Sequence, residues 1–163
     1  MLKAMKILKE EGIIVDFHIV GGKNPDAMYA LAEKYGVRDQ FYYDGYLSHD
    51  KIADFYDNID IYVHPSFQEG LPRVVVEAIS RGCPCATSNV AGTPELIEDK
   101  YLHKPGDYNK LAKDIKLLII NKTEMARVAE INFKHAKYYY SDILDSRREI
   151  FYKDFFNAIN NDR

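Results

Sequence analysis

Among its 163 residues the chain has two cysteines, Cys83 and Cys85, no tryptophan, and no apolar run of the ~18 residues that a membrane helix needs. A lone C-x-C pair cannot by itself complete a four-ligand metal site. Both thiols flank Pro84 in an apolar stretch, and they read as reduced core residues of a cytoplasmic protein. Neither sign of charge dominates. The net charge is −3 at pH 7, which leaves no basic field for nucleic acid. Residues 1–9 lack the apolar segment and cleavage site of a signal peptide and read as an amphipathic helix. The P-loop spacing G-x-x-x-x-G-K-[ST] is missing, and no D-x-D is present to hold a divalent metal. There is no internal repeat, low-complexity tract or long linker. The chain suits one domain, residues 1–163, with a proper core.

What is present is organised around residues 64–84, which read as strand end, loop, helix and stop. Pro72 suits a first helical position, where its missing N–H removes no bond. Val74, Val75, Val76, Ala78 and Ile79 form an apolar helix body, expected to be buried. Gly82 is a natural stop and Pro84 prevents continuation. The loop Glu69-Gly70-Leu71 lies at the positive end of that helix, a place for an anion such as phosphate. Glu69 precedes the helix, and Glu77 lies five residues beyond Pro72, roughly 7 Å along the axis. A carboxylate on a buried-looking helix needs donors, and sugar hydroxyls are good ones. Acid, anion site, acid matches the order sugar, diphosphate, ribose of a nucleotide sugar. Two other readings stay open: Glu77 pairs with Arg73 at i−4, and Glu69 is a solvated loop acid. His64, beside this stretch, either faces a cleft or is structural.

The rest of the chain alternates helices with short β-rich runs. A helix over 1–11 is stopped by Gly12, and residues 15–20 form a strand ending in Gly21-Gly22. A helix follows from Pro25 to Tyr35, giving the opening of a nucleotide-facing βα unit. Lys23 either reaches a phosphate or stands as an exposed loop lysine. Residues 40–46 form the next strand and turn, Ser48 caps a helix, and residues 60–64 form a third strand. Residues 85–87 are a fourth strand, Thr93 caps a short helix from Pro94, and residues 101–103 are a last short strand. Asp107, Thr123 and Ser141 are the caps expected for three closing helices. The last helix carries Ile143, Leu144, Ile150, Phe151, Phe155 and Ile159, a face either packed on this domain or left open. The fold class is therefore α/β: a Rossmann-like, doubly wound parallel sheet with C-terminal helices.

The segment Pro65-Ser66-x-x-Glu69-Gly70-Leu71-Pro72 through Glu77-Ala78, then Gly82-x-Pro84 and Gly92-x-Pro94-Glu95, resembles the signature of the retaining GT-B glycosyltransferases of family 4, also called glycosyl transferases group 1. Their acid, seven residues and second acid match Glu69 and Glu77. The looser resemblance covers residues 1–160, in the order of the second, donor-binding domain, one half of a GT-B fold. It implies that Glu69 is the catalytic carboxylate, in contact with the transferred sugar. It also implies that the Gly70-Leu71-Pro72 backbone faces sugar and diphosphate, and that Glu77 holds the ribose hydroxyls. Gly21 and Gly22 would line the donor, and the backbone of Tyr46 and Leu47 would face the base. Residues 92–95 would close one side of the cleft. The substrate is then a nucleoside-diphosphate sugar, with no cofactor and no metal.

By the same resemblance, an N-terminal acceptor domain would precede residue 1. So would a first strand and a loop whose Arg and Lys neutralise the diphosphate. The chain alone is expected to be inactive. The full-length enzyme would be a cytoplasmic hexosyltransferase of surface polysaccharide or glycolipid synthesis, with peripheral association at the inner membrane face. Two alternatives remain at this stage: a nucleotide-sugar epimerase of GT-B shape, and a non-catalytic nucleotide-binding or docking module.

Overall fold

The computed structural model describes residues 1–22 and 24–161, so Lys23 lies outside the described residues. Among the described residues seven α-helices and five strands follow in the order α1 (Leu2–Glu10), β1 (Phe17–Val20), α2 (Pro25–Lys34), β2 (Phe41–Gly45), α3 (His49–Asp57), β3 (Tyr62–His64), α4 (Arg73–Ser80), β4 (Cys85–Ser88), β5 (Leu102–His103), α5 (Tyr108–Ile120), α6 (Lys122–Ala136) and α7 (Ser141–Asn161). The N-termini of three helices follow from short polar side chains. Asn24, Asp107 and Asn121 accept the N–H groups of Ala27, Lys110 and Glu124, satisfying donors that the helix itself leaves free.

All strand pairs are parallel. Phe17 stands opposite Phe41 in the β1–β2 pair, and β3, β4 and β5 pair in that order, with Tyr62 opposite Cys85 and Thr87 opposite Leu102. Alternation along β4 explains the layers. Cys85 joins a core with Tyr56, Val75, Ala78, Ile79, Leu118 and Val128. Its neighbour Ala86 faces the opposite layer, with Ala4 and Leu8 of α1 and Leu111 and Ile115 of α5. Met5 of α1 reaches a third cluster with Ala32, Val37 and Phe41. Helices thus cover both faces, and α1 bridges the two sheets. Buried Asn132 of α6 donates to Cys83 O at 2.7 Å, fixing α6 against the turn between α4 and β4. Burial pushes the Cys83 thiol up to about 11 and holds the Cys85 thiol well above its ordinary value, so both are inert core groups.

The sheet is not continuous as expected. It consists of a pair, β1–β2, and a triplet, β3–β4–β5. Pro72 is the residue before α4, with extended φ −73°, ψ 104°, and Arg73 is the first helical residue. Within α4 the stripe Val75, Ala78, Ile79 is buried, whereas Val74 is 39% exposed, because successive helical residues lie 100° apart. Ser48 stands before α3, but its side chain bonds no helix amide. The Thr93 hydroxyl donates back to Ser88 O at 2.6 Å and does not cap the short turn that follows. A single residue separates α5 from α6, so Asn121 caps α6 and Thr123 falls inside its first turn. Ser141 likewise is the first residue of α7. The α7 face carrying Ile150, Phe151, Phe155 and Phe156 is open, with Phe151 63% exposed.

At the end of β5, His103 is buried. Its Nε2 lies 3.4 Å from Ser88 Oγ, and its Nδ1 has no partner among the described residues. Burial, helped by the nearby Lys110 charge, lowers its pKa below 6.5. The folded state therefore binds fewer protons than the unfolded one. The stabilisation is complete above 6.5 and is lost as pH falls through the folded value. The urea midpoint should fall between pH 7 and pH 5, and His103→Gln should flatten that slope. Parallel urea titrations of the two proteins check this.

Candidate functional site

β3 ends at His64, and the loop 65–72 carries the chain to α4. His64 Nε2 lies 2.7 Å from Glu69 Oε1, both side chains being largely covered. This hydrogen bond, opposed by partial desolvation, holds the Glu69 carboxyl below its ordinary value. Ser66 Oγ donates to Gln68 O at 3.0 Å and tightens the turn ahead of Glu69. Gly70 O accepts the Gly92 N–H at 2.9 Å, joining this loop to the turn after β4. A Cβ on Gly92 would lie 2.9 Å from Gly70 O and from Leu71 Cδ1, so the two backbones approach as closely as glycine allows.

Pro72 O accepts from Val75 and Val76, the first amides that the helix satisfies. The N–H groups of Arg73 and Val74 come before them and take no acceptor among the described residues. They point out of the positive end of α4, an arrangement that receives anions. One turn further on, Glu77 Oε2 accepts from Tyr56 Oη at 3.3 Å, and not from Arg73. Tyr56 Oη lies equally near Val74 O. The Tyr56 ring packs edge-on against Tyr62 at 5.6 Å, and Tyr62 stacks on His64 at 6.2 Å with an interplanar angle of 15°. Tyr62 Oη reaches His64 Nδ1 at 3.5 Å. A continuous line, Glu77, Tyr56, Tyr62, His64, Glu69, thus joins the two acids. Burial, then Tyr56, Cys85 and both carboxylates, raise the Tyr62 phenol, so it stays a neutral donor.

Glu69, Gly70, Leu71, Pro72 and Glu77 are therefore brought together. Gly21, Gly22, Tyr46 and Leu47 form a second group, at the C-terminal ends of β1 and β2, which parallel pairing places side by side. Gly21 and Gly22 have φ of +82° and +90°, a conformation that favours glycine. Gly21 N–H donates to Gly45 O at 2.7 Å, and Tyr43 Oη donates to Gly22 O at 2.8 Å. Tyr46 is 82% exposed. Sequence reasoning missed Tyr56 and Tyr62. The first sits on an apolar helix face and the second in a strand, so both read as core. No sequence signal marks their hydroxyls as partners of the acids. His64, which the sequence left between two readings, is the partner of Glu69.

The family described as glycosyl transferases group 1 matches residues 1–135. Protein CapJ of Staphylococcus aureus is 34% identical over 123 residues, covering 74% of this chain and 31% of that protein. The lipopolysaccharide glucosyltransferase WaaG of Escherichia coli is 33% identical over 81 residues, 50% of this chain and 21% of that protein. The chain thus spans a third or less of the curated relatives it matches here. The crystal structure of Anabaena Alr3699/HepE in complex with UDP superimposes with a TM-score of 0.77 at 20% identity, covering 92% of this chain and 43% of that one, which shows the shared fold.

Proposed function

The chain belongs to the glycosyl transferases group 1 family, and from that membership we propose that it is the donor-binding domain of a retaining glycosyltransferase. The enzyme would move a hexose from a nucleoside-diphosphate sugar to an acceptor hydroxyl, in the synthesis of a surface polysaccharide or glycolipid. The observation that carries this reading is the pair Glu69 and Glu77, bracketing the unpaired amides of Arg73 and Val74. The glucosyltransferase among the relatives supports the transfer chemistry, and the UDP complex of a protein of this fold supports the nucleotide.

In this reading each group has one task. The Arg73 and Val74 amides receive the diphosphate. As the sugar–phosphate bond breaks, the leaving oxygens gain negative charge at the positive end of α4, so these fixed dipoles stabilise the transition state more than the ground state. Glu77 accepts the ribose hydroxyls, and Tyr56 holds its carboxylate in place. Glu69, kept ionised by His64, accepts hydroxyls of the transferred sugar and favours the cationic character developing there. Gly21 and Gly22 let the backbone approach the donor, and the backbone of Tyr46 and Leu47 lies against the base. The acceptor hydroxyl attacks from the face that the diphosphate leaves, and its proton passes to the departing phosphate oxygen as the sugar–phosphate bond breaks.

An N-terminal acceptor domain and the cations that neutralise the diphosphate would come from outside these residues. The open apolar face of α7 is of a kind that such a domain would cover. The complete enzyme would work in the cytoplasm, at the inner face of the membrane, without a metal cofactor. Among the described residues no helix is long and apolar enough to cross a membrane.

Titrating UDP, GDP and ADP sugars against the amide spectrum tests the reading, first with this chain and then with one carrying the preceding domain. Shifts at Gly70, Leu71, Arg73 and Val74 on adding one of the three nucleotides are expected. No shift in either protein overturns it and leaves a docking module. Turnover by the isolated chain would contradict the need for a second domain.

A further inference from the structure

His64, the last residue of β3, has a partner for each ring nitrogen. Nε2 lies 2.7 Å from Glu69 Oε1, and Nδ1 lies 3.5 Å from Tyr62 Oη. A neutral imidazole carries one proton, so one nitrogen donates and the other accepts. The two partners decide which. Glu69 is held below its ordinary carboxyl value, so it is ionised and can only accept. Nε2 must therefore carry the proton. Nδ1 is then the acceptor, and its donor among the described residues is the Tyr62 hydroxyl. Burial holds the Tyr62 phenol well above its ordinary value, so it keeps its proton to donate.

The strand supplies the rigidity. Tyr62 and His64 are alternate residues of β3, so their side chains leave the same face. The Tyr62 ring packs against the buried cluster of Tyr56, Val75 and Ile79, with Tyr56 edge-on at 5.6 Å. Its hydroxyl is thus carried on a fixed ring. Glu69 differs, because it comes from the loop 65–72 and its long side chain has several torsions to settle. Through His64 that loop carboxylate is tied to a strand. The tie engages Oε1. Placement of this kind matters, since misplacing a reacting group by about 1 Å can cost on the order of a hundredfold in rate.

We propose that Tyr62 is a positioning residue for the transfer reaction: its hydroxyl orients the Nε2–H form of the His64 ring, and that ring holds Glu69 Oε1 and leaves Oε2 to the transferred sugar. No proton changes place in this arrangement, and Tyr62 itself touches no substrate. The role deepens the donor-site reading and rests on it for the sugar. The state of the ring does not rest on it and is read without any ligand, so a failure of one is distinguishable from a failure of the other.

The first arm of the test uses the chain without ligand at pH 8, above the ordinary histidine value of about 6.5. Nitrogen-15 spectra of the imidazoles separate protonated from unprotonated ring nitrogens, and loss of signals in His64→Gln assigns His64 among the five histidines. The parent should show a protonated Nε2 and a hydrogen-bonded, unprotonated Nδ1. In Tyr62→Phe, which keeps the ring and removes the hydroxyl, Nδ1 should move to the position of a free acceptor nitrogen while Nε2 keeps its proton. An Nδ1–H ring in the parent overturns the proposal without any variant, as does an Nδ1 signal that Tyr62→Phe leaves in place. The second arm compares UDP-, GDP- and ADP-glucose with the three diphosphates, in the form of the protein that binds nucleotide. Tyr62→Phe should cut the sugar's share of the affinity by about three- to tenfold, the worth of one neutral hydrogen bond, and leave diphosphate binding unchanged. Added to His64→Gln, which has no Nδ1, it should change nothing more. An unchanged sugar share, equal loss for sugar and diphosphate, or the same loss in both backgrounds overturns the positioning role. Absence of binding by every nucleotide overturns the functional reading instead, and the ring spectra still decide this one.

Discussion

Glu77→Ala is expected to weaken binding of the nucleoside diphosphate by about 10- to 100-fold while leaving the fold in place. A hydrogen bond to a charged group contributes about 1.5–3 kcal/mol, and each 1.4 kcal/mol is a factor of ten in affinity. The structural cost should be small, because Tyr56 Oη keeps Val74 O at 3.3 Å as an alternative acceptor. Glu77→Gln retains a neutral acceptor and should fall between the two. Calorimetric titration gives the affinities, in whichever form of the protein binds nucleotide, and a melting curve gives the stability. If Glu77 served only to satisfy Tyr56, the alanine variant would lower the melting temperature and leave the affinity unchanged.

Gly92→Val should do the reverse, striking the fold of the site before its chemistry. The φ of Gly92 is −78°, so any residue could adopt its backbone. What is lacking is space. The new Cβ would meet Gly70 O and Leu71 Cδ1 at 2.9 Å and Leu71 Cα at 3.1 Å, and two of these three atoms are backbone. Relief requires the Gly92–Gly70 hydrogen bond to open and the loop 65–72 to move. Overpacking costs about 1–3 kcal/mol and the lost bond about 1 kcal/mol, so a stability loss of about 2–4 kcal/mol is expected from denaturant unfolding. Donor binding should be lost with it. Gly70→Ala supplies the contrast, since nothing lies within 4 Å of a Cβ there. It should fold as well as the parent, so any affinity it loses reports crowding of the ligand itself.

These two residues also show what the sequence makes legible. The spacing of Glu69 and Glu77 and the stop at Gly82 are local features, and they place the loop and helix of the site to within one residue of Pro72. The alternation of helices with short apolar runs likewise places all five strands. Long-range facts are different. The break between β1 and β3 depends on which strand edges meet, and strand spacing along the chain does not encode that. The Tyr56 hydroxyl reaches Glu77 across 21 residues, and in the sequence it is one more aromatic on an apolar face. His64 and Glu69 are close in sequence but meet only because the loop 65–68 folds back, with Ser66 closing on Gln68 O. The cap assignment at Thr123 fails because two helices share one residue: Asn121 ends α5 and caps α6, so Thr123 falls inside the helix.

The most direct test of the central claim is a crystal structure of the protein, in whichever form binds nucleotide, with the nucleoside diphosphate that it selects. The account predicts phosphate oxygens within hydrogen-bond distance of the Arg73 and Val74 amides, ribose hydroxyls on the Glu77 carboxylate, and the base against the backbone of Tyr46 and Leu47. A nucleotide bound away from the N-terminus of α4, with Glu77 still paired only to Tyr56, would contradict it.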